Sequence, residues 1–142
     1  MKRTTMLRCF AATTALCMSP FGETFAATTG PDIVSGPAAA EKLELRDLEV
    51  ASDGSVTGSV ANAGAVAIKD VELLVTHVWS WSDERHPGEN NPGRSSALHV
   101  SGEIPAGGSV PFSYTPDPPL LKRTDGSFQS TVVVKSFTEI GN

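Results

Sequence analysis

From Glu41 onward the apolar residues of this chain recur two apart, the period of a strand, and no window sustains the 3.6-residue stripe of a helix. The first such segment is Lys42–Ala51, where Leu43 and Leu45 share one phase and Leu48 and Val50 the other. The slip between the two pairs predicts a bulge at Arg46-Asp47. Ser52-Asp53-Gly54-Ser55 then reads as a hairpin turn with Asp-Gly at its centre. A second strand is predicted over Val56–Asn62, and Asn62-Ala63-Gly64-Ala65 makes another turn. Ile68–Trp81 is the longest candidate, with Val71, Leu73 and Val75 on one face and Leu74 and Val78 on the other, as befits a central strand. After a polar loop over Ser82–Ser95, shorter strands are predicted over Ser96–Ser101, Val110–Thr115 and Phe128–Thr138. Pro116, Pro118 and Pro119 forbid regular structure between the last two.

Six or seven short strands in about 100 residues, with no helical pattern, imply an all-β fold, an antiparallel immunoglobulin-like β-sandwich. Residues 41–142 form this domain. Residues 27–40 read as a flexible linker, because Gly30-Pro31 and Gly36-Pro37 break structure and only Ile33 and Val34 are worth burying.

Residues 1–26 have the layout of a cleavable secretory signal. Lys2, Arg3 and Arg8 make a basic start, Cys9–Met18 is an uncharged run, and Thr24-Phe25-Ala26 places small residues for a cut after Ala26. The run of about 10 residues is half of what a bilayer-spanning helix needs, so the mature chain is expected to be periplasmic or secreted with no transmembrane segment. Cleavage removes Cys9 and Cys17, the only cysteines, so a disulfide framework and Cys-ligated metal are excluded. It also takes three of eleven basic residues and one of sixteen acidic ones, leaving 8 against 15 and a net charge of −7. Such a chain is repelled by nucleic acid and by anionic membranes.

Three short stretches resemble a known family. Gly58-Ser59-Val60-Ala61-Asn62, Ala67–Leu73 and Glu103-Ile104-Pro105-Ala106-Gly107-Gly108-Ser109-Val110-Pro111-Phe112 are similar to the FxLYD-type domains, immunoglobulin-like modules of secreted bacterial and archaeal proteins. The resemblance covers roughly Leu43 to Thr138. Ala106 stands where the family has a second proline, and His77–Trp81 stands where it has a Tyr-Asp step. It implies the sandwich fold, and it leaves function open among spacers, adaptors and protein-binding units.

The stretch His77–His86 holds the most unusual chemistry. Trp79 and Trp81 are two of few aromatics; a central-strand Trp fills a sandwich core, and one near a strand end presents a binding patch. With Asp83, Glu84 and Arg85 they form the candidate surface for a protein partner. His77, His86 and His99 are the alternative, an imidazole set for zinc or copper. They lack H-x-H or H-x-x-x-H spacing. No Gly-x-Ser-x-Gly elbow, phosphate loop or nucleotide fingerprint occurs, and Asp83-Glu84 are too close in sequence to flank one bond. The sequence therefore points to a non-enzymatic exported module, without cofactor, that binds an envelope protein. A periplasmic metal-binding protein and a structural accessory subunit of an envelope complex are the alternatives.

Overall fold

A computed structural model describes residues 31–141. Residues 1–26, read above as an export signal, with both cysteines, and residues 27–30 lie outside the described residues. The chain forms β1 (Asp32–Ser35), α1 (Pro37–Lys42), β2 (Leu43–Val50), β3 (Val56–Asn62), β4 (Ile68–Trp81), β5 (Arg94–Val100), β6 (Ser109–Tyr114) and β7 (Gly126–Glu139). Two antiparallel sheets result, ordered β1-β7-β4-β5 and β2-β3-β6. This is the expected all-β sandwich. Its β2-β3-β6 and β7-β4-β5 groupings follow immunoglobulin-like order, with β1 beside β7 where the last strand of that fold would lie.

Alternation explains the core. β4 turns Val71, Leu73 and Val75 inward, where they meet Val56 and Val60 of β3, Phe112 and Tyr114 of β6, and Phe137 of β7. On its other face Leu74 is half-buried and Val78 exposed, so β4 is central within its sheet while the outer face of that sheet meets solvent. The bulge falls as the phase slip requires: the β2–β3 ladder shifts between Arg46 and Glu49, and Asp47 takes a φ of 52°. Beyond it Leu48 and Val50 turn to the flank and are exposed, so they do not join the core.

The linker reading of 27–40 needs correction over its described part. Asp32–Ser35 pairs antiparallel with Glu139–Ser136 of β7. Gly36, at a φ of 64°, and Pro37 then turn the chain out of that sheet. Pro37 opens α1 at its first turn, where a missing N–H costs nothing, and the alanines that follow favour helix. One of them, Ala39, is wholly buried in the core. Composition alone missed this, because a three-alanine run reads as tether unless a helix presents one methyl inward.

Asn62 ties two connections together at one end of the sandwich. Its side chain is 2% exposed. Its Nδ2 donates to the carbonyls of Val66, Ile104 and Pro105 at 2.8, 3.1 and 3.2 Å, and its Oδ1 accepts from the Gly64 N–H at 2.9 Å. Its backbone N–H donates to Gly108 and its carbonyl accepts from Gly107. Removing the side chain strands several buried groups at once, each costing about 1–3 kcal/mol. Asn62→Ala is expected to lower the unfolding free energy by about 3 kcal/mol in urea titration, and Asn62→Asp, which keeps the shape and loses the donors, by a similar amount.

Candidate functional site

At the opposite end, the inward row of β4 changes from aliphatic to aromatic and polar: His77, Trp79 and Trp81 follow Val75. Register places Ser130, Phe128 and Gly126 of β7 beside them and Arg94 of β5 beside His77. His77 is 1% exposed. Its Nδ1 lies 2.7 Å from Ser130 Oγ, and its ring stacks on Tyr114 of the opposing sheet, 5.9 Å between centroids. Burial, then the nearby Arg94 charge, hold its pKa below the ordinary histidine value, so the ring is neutral. Its Nε2 finds no hydrogen-bond partner among the described residues.

Trp79 is 4% exposed and meets Phe128 edge to face at 4.7 Å. Gly126 is required there, since a Cβ would lie 2.6 Å from the Trp79 ring and 2.3 Å from the Ser80 carbonyl. Trp79 is therefore core, which removes it from the expected contact surface. Trp81, at the strand end, is only half-buried. It sits edge to face on Trp79 at 6.0 Å, with the Arg123 guanidinium 4.9 Å from its ring centroid. Both carboxylate oxygens of Asp125 hold Arg123, which also donates to the Asn90 carbonyl at 3.2 Å. This pairing keeps the Asp125 carboxyl below the usual range and raises Arg123.

The β4–β5 loop is pinned by the same cation and by its own turn. Asp83 accepts from the Arg85 N–H at 3.0 Å and lies 2.9 Å from His86 Nδ1, contacts that lower its pKa, the His86 bond first. Asp83, Glu84 and Arg85 are all exposed. Beside Trp79 and Phe128 lies an open cavity of about 530 Å³, bordered by the Val50–Gly54 turn and by Pro119–Arg123, with Ser130 on its wall. Leu120 covers Gly54, and Leu121 is 64% exposed on the rim. Arg123 and Leu121 are the site residues that sequence reasoning missed. They sit 42 and 40 positions beyond Trp81 in the chain; the Trp81–Gly126 pairing brings Arg123 to the Trp81 ring, and Leu121 lines the adjoining cavity.

The three histidines are not brought together, which overturns the metal set. His77 faces the interior, His86 is on the loop, and exposed His99 pairs in register with Glu72. Glu72 lies five residues from His77 along β4, about 17 Å at strand rise. Among the described residues no group of three metal-ligating side chains forms. The His77–Ser130 pair also differs from a hydrolytic dyad: Ser130 occupies Nδ1, and among the described residues Nε2 has no hydrogen-bond partner.

Fold and site together define a β-sandwich with a cavity beside Trp79 and Phe128 at one end. Compared with known protein families, curated proteins and solved structures, the chain matches none. Among the described residues no helix is long and apolar enough to cross a membrane.

Two outcomes follow for the row. Trp79→Ala is expected to cost about 3–5 kcal/mol in denaturant unfolding and Trp81→Ala about 1–2 kcal/mol; equal losses would place both in the core. For His77, the folded pKa lies below the unfolded value, so the unfolded chain takes up the proton first. Stability from this residue is undiminished above about pH 6.5. It falls as pH drops below that value, by at most about 1.4 kcal/mol per pH unit, until the folded pKa is passed. Unfolding free energies from pH 5 to 8 should show this slope in the native chain and a flatter one in His77→Phe.

Proposed function

We propose that this chain is an exported, non-enzymatic module that binds another protein in the bacterial envelope through the cavity end of the sandwich. The observation that carries the reading is the half-buried Trp81 held between Gly88 and the Arg123 guanidinium, with exposed Leu121 on the rim of the adjoining cavity. Trp and Arg dominate protein contacts because they bury large area with preorganised geometry. Arg123 is preorganised by Asp125, so little side-chain freedom is lost on binding. The loop residues Asp83, Glu84 and Arg85 form the polar edge of this surface. An FxLYD-type reading of the module rests on the sequence stretches that resemble that family.

The mature chain, immobilised and exposed to envelope extract with a cross-linker, tests this. Leu121→Asp and Arg123→Ala are each expected to reduce retention of the captured protein by about tenfold or more, with circular dichroism unchanged. Lys69→Ala, on β4 at the other end, should bind as the native chain does. Equal capture by native chain and Leu121→Asp would sink the reading.

A further inference from the structure

The β6–β7 connection, residues 115–125, crosses from the three-stranded sheet to the four-stranded one and supplies Pro119–Arg123 to the border of the cavity. Polar contacts tie it to the four-stranded sheet and its loop. The Arg94 guanidinium of β5 donates to the Pro118 carbonyl, the Ser82 N–H donates to the Asp125 carbonyl at 2.9 Å, and Arg123 donates to the Asn90 carbonyl. Arg94 makes its contact from the position directly opposite His77 in the β4–β5 ladder.

His77 is enclosed. Arg94 faces it from β5, Tyr114 from β6, Ser130 and Phe128 from β7, and Trp79 follows it on the inward row of β4. Among the described residues the charge that acts on its ring is that of Arg94. A neutral ring fits this site. With its proton on Nδ1 it donates to Ser130 Oγ, 2.7 Å away, and leaves only a lone pair at Nε2. A protonated ring fits it badly. It carries a second N–H at Nε2, which has no acceptor among the described residues, and it sets a second cation beside the guanidinium.

Of these two cations, Arg94 is the one with a way out. His77 is 1% exposed on a central strand, whereas Arg94 is half-buried on an edge strand. The long arginine stem lets the head swing into water while the backbone stays paired. Leaving in this way gives up the Pro118 carbonyl.

We propose that His77 and Arg94 form a proton-operated latch: protonation of His77 expels Arg94 from Pro118 and frees the β6–β7 connection, opening the cavity end while the Asn62 end holds. The latch is a motion of the free chain, so it stands or falls apart from the partner reading. In the open form His77 titrates as it does in water, near about pH 6.5. Above that value the open fraction is constant. Below it, the ratio of open to closed rises by up to about tenfold for each pH unit until the closed form also takes up the proton.

Hydrogen exchange of the indole N–H groups, followed by NMR on nitrogen-labelled chain from pH 8 to 5, reads this ratio. Trp79 Nε1 is buried without a hydrogen-bond partner among the described residues, and Arg123 of the connection lies over its ring, so its exchange requires the connection to lift. Its protection, corrected for the intrinsic rate, is expected to fall by up to about tenfold per pH unit below about pH 6.5. The His77 ring signals should shift over the same range. The Ile68 amide, bonded to Ile104 at the locked end, sets the level for unfolding of the whole sandwich, and Trp79 should stay at least about tenfold less protected than it. His77→Gln, neutral throughout, should abolish the fall, and Arg94→Gln should lower the Trp79 protection by about tenfold already at pH 8. Far-UV circular dichroism checks that both variants fold, and the native titration stands without them. A native Trp79 protection that is flat over this range overturns the proposal, as does a fall that the His77 signals do not follow. The same fall in His77→Gln, or undiminished protection in Arg94→Gln, overturns it too. So does equal protection at Trp79 and Ile68, since the end would then open only with the whole fold.

Discussion

The fold depends on one buried amide. Asn62 ends β3, and its side chain holds the β3–β4 turn and the turn before β6 to the same point. The two sheets of a sandwich touch only through side chains, so something must fix how far along each other they sit. Here Ile68 and Ile104 exchange backbone hydrogen bonds across the gap, and Asn62 donates to the Ile104 carbonyl from the other sheet. With that end locked, the β4–β7 register carries the alignment to the far end, where Trp79 meets Phe128 and Gly126. A buried polar group that satisfies every partner specifies geometry in a way that apolar contact cannot.

The two ends differ in this respect. At the Asn62 end the buried amide is fully hydrogen-bonded. At the other, His77 Nε2, Trp79 Nε1 and Arg94 Nε are buried without hydrogen-bond partners among the described residues. All three belong to neighbouring residues of β4 and β5, and His77 and Trp79 stand beside Ser130 and Phe128 of the cavity wall.

Much of this was legible in the chain. Alternation located β2 to β7 to within two residues, and the Leu45–Leu48 phase slip marked the bulge, because a period of two leaves no other way to keep both pairs on a strand. The candidate site was half legible. Trp79 and Trp81 stand out by type, and their separation into core and rim follows from position along β4, yet the Arg123 contact depends on a loop that returns across the sandwich. The histidines misled for a related reason: residue type suggested a shared ligand set, while strand parity and register decide which face and which height each occupies. β1 and α1 escaped altogether, since a four-residue strand and a six-residue helix leave too short a pattern for periodicity to register.

That overlooked segment links the interior to the edge. Gly36 and Pro37 act together: the first supplies a positive φ, and the second cannot donate to the β7 ladder. Had the chain continued straight, residues 37 to 45 would have covered β7 down to Gly126, and no residue would cross to begin β2. The crossing drops Ala39 into the core and starts the three-stranded sheet with Leu43. One turn therefore completes the hydrophobic interior, and it leaves the side of Gly126–Val134 away from β4 without a strand among the described residues.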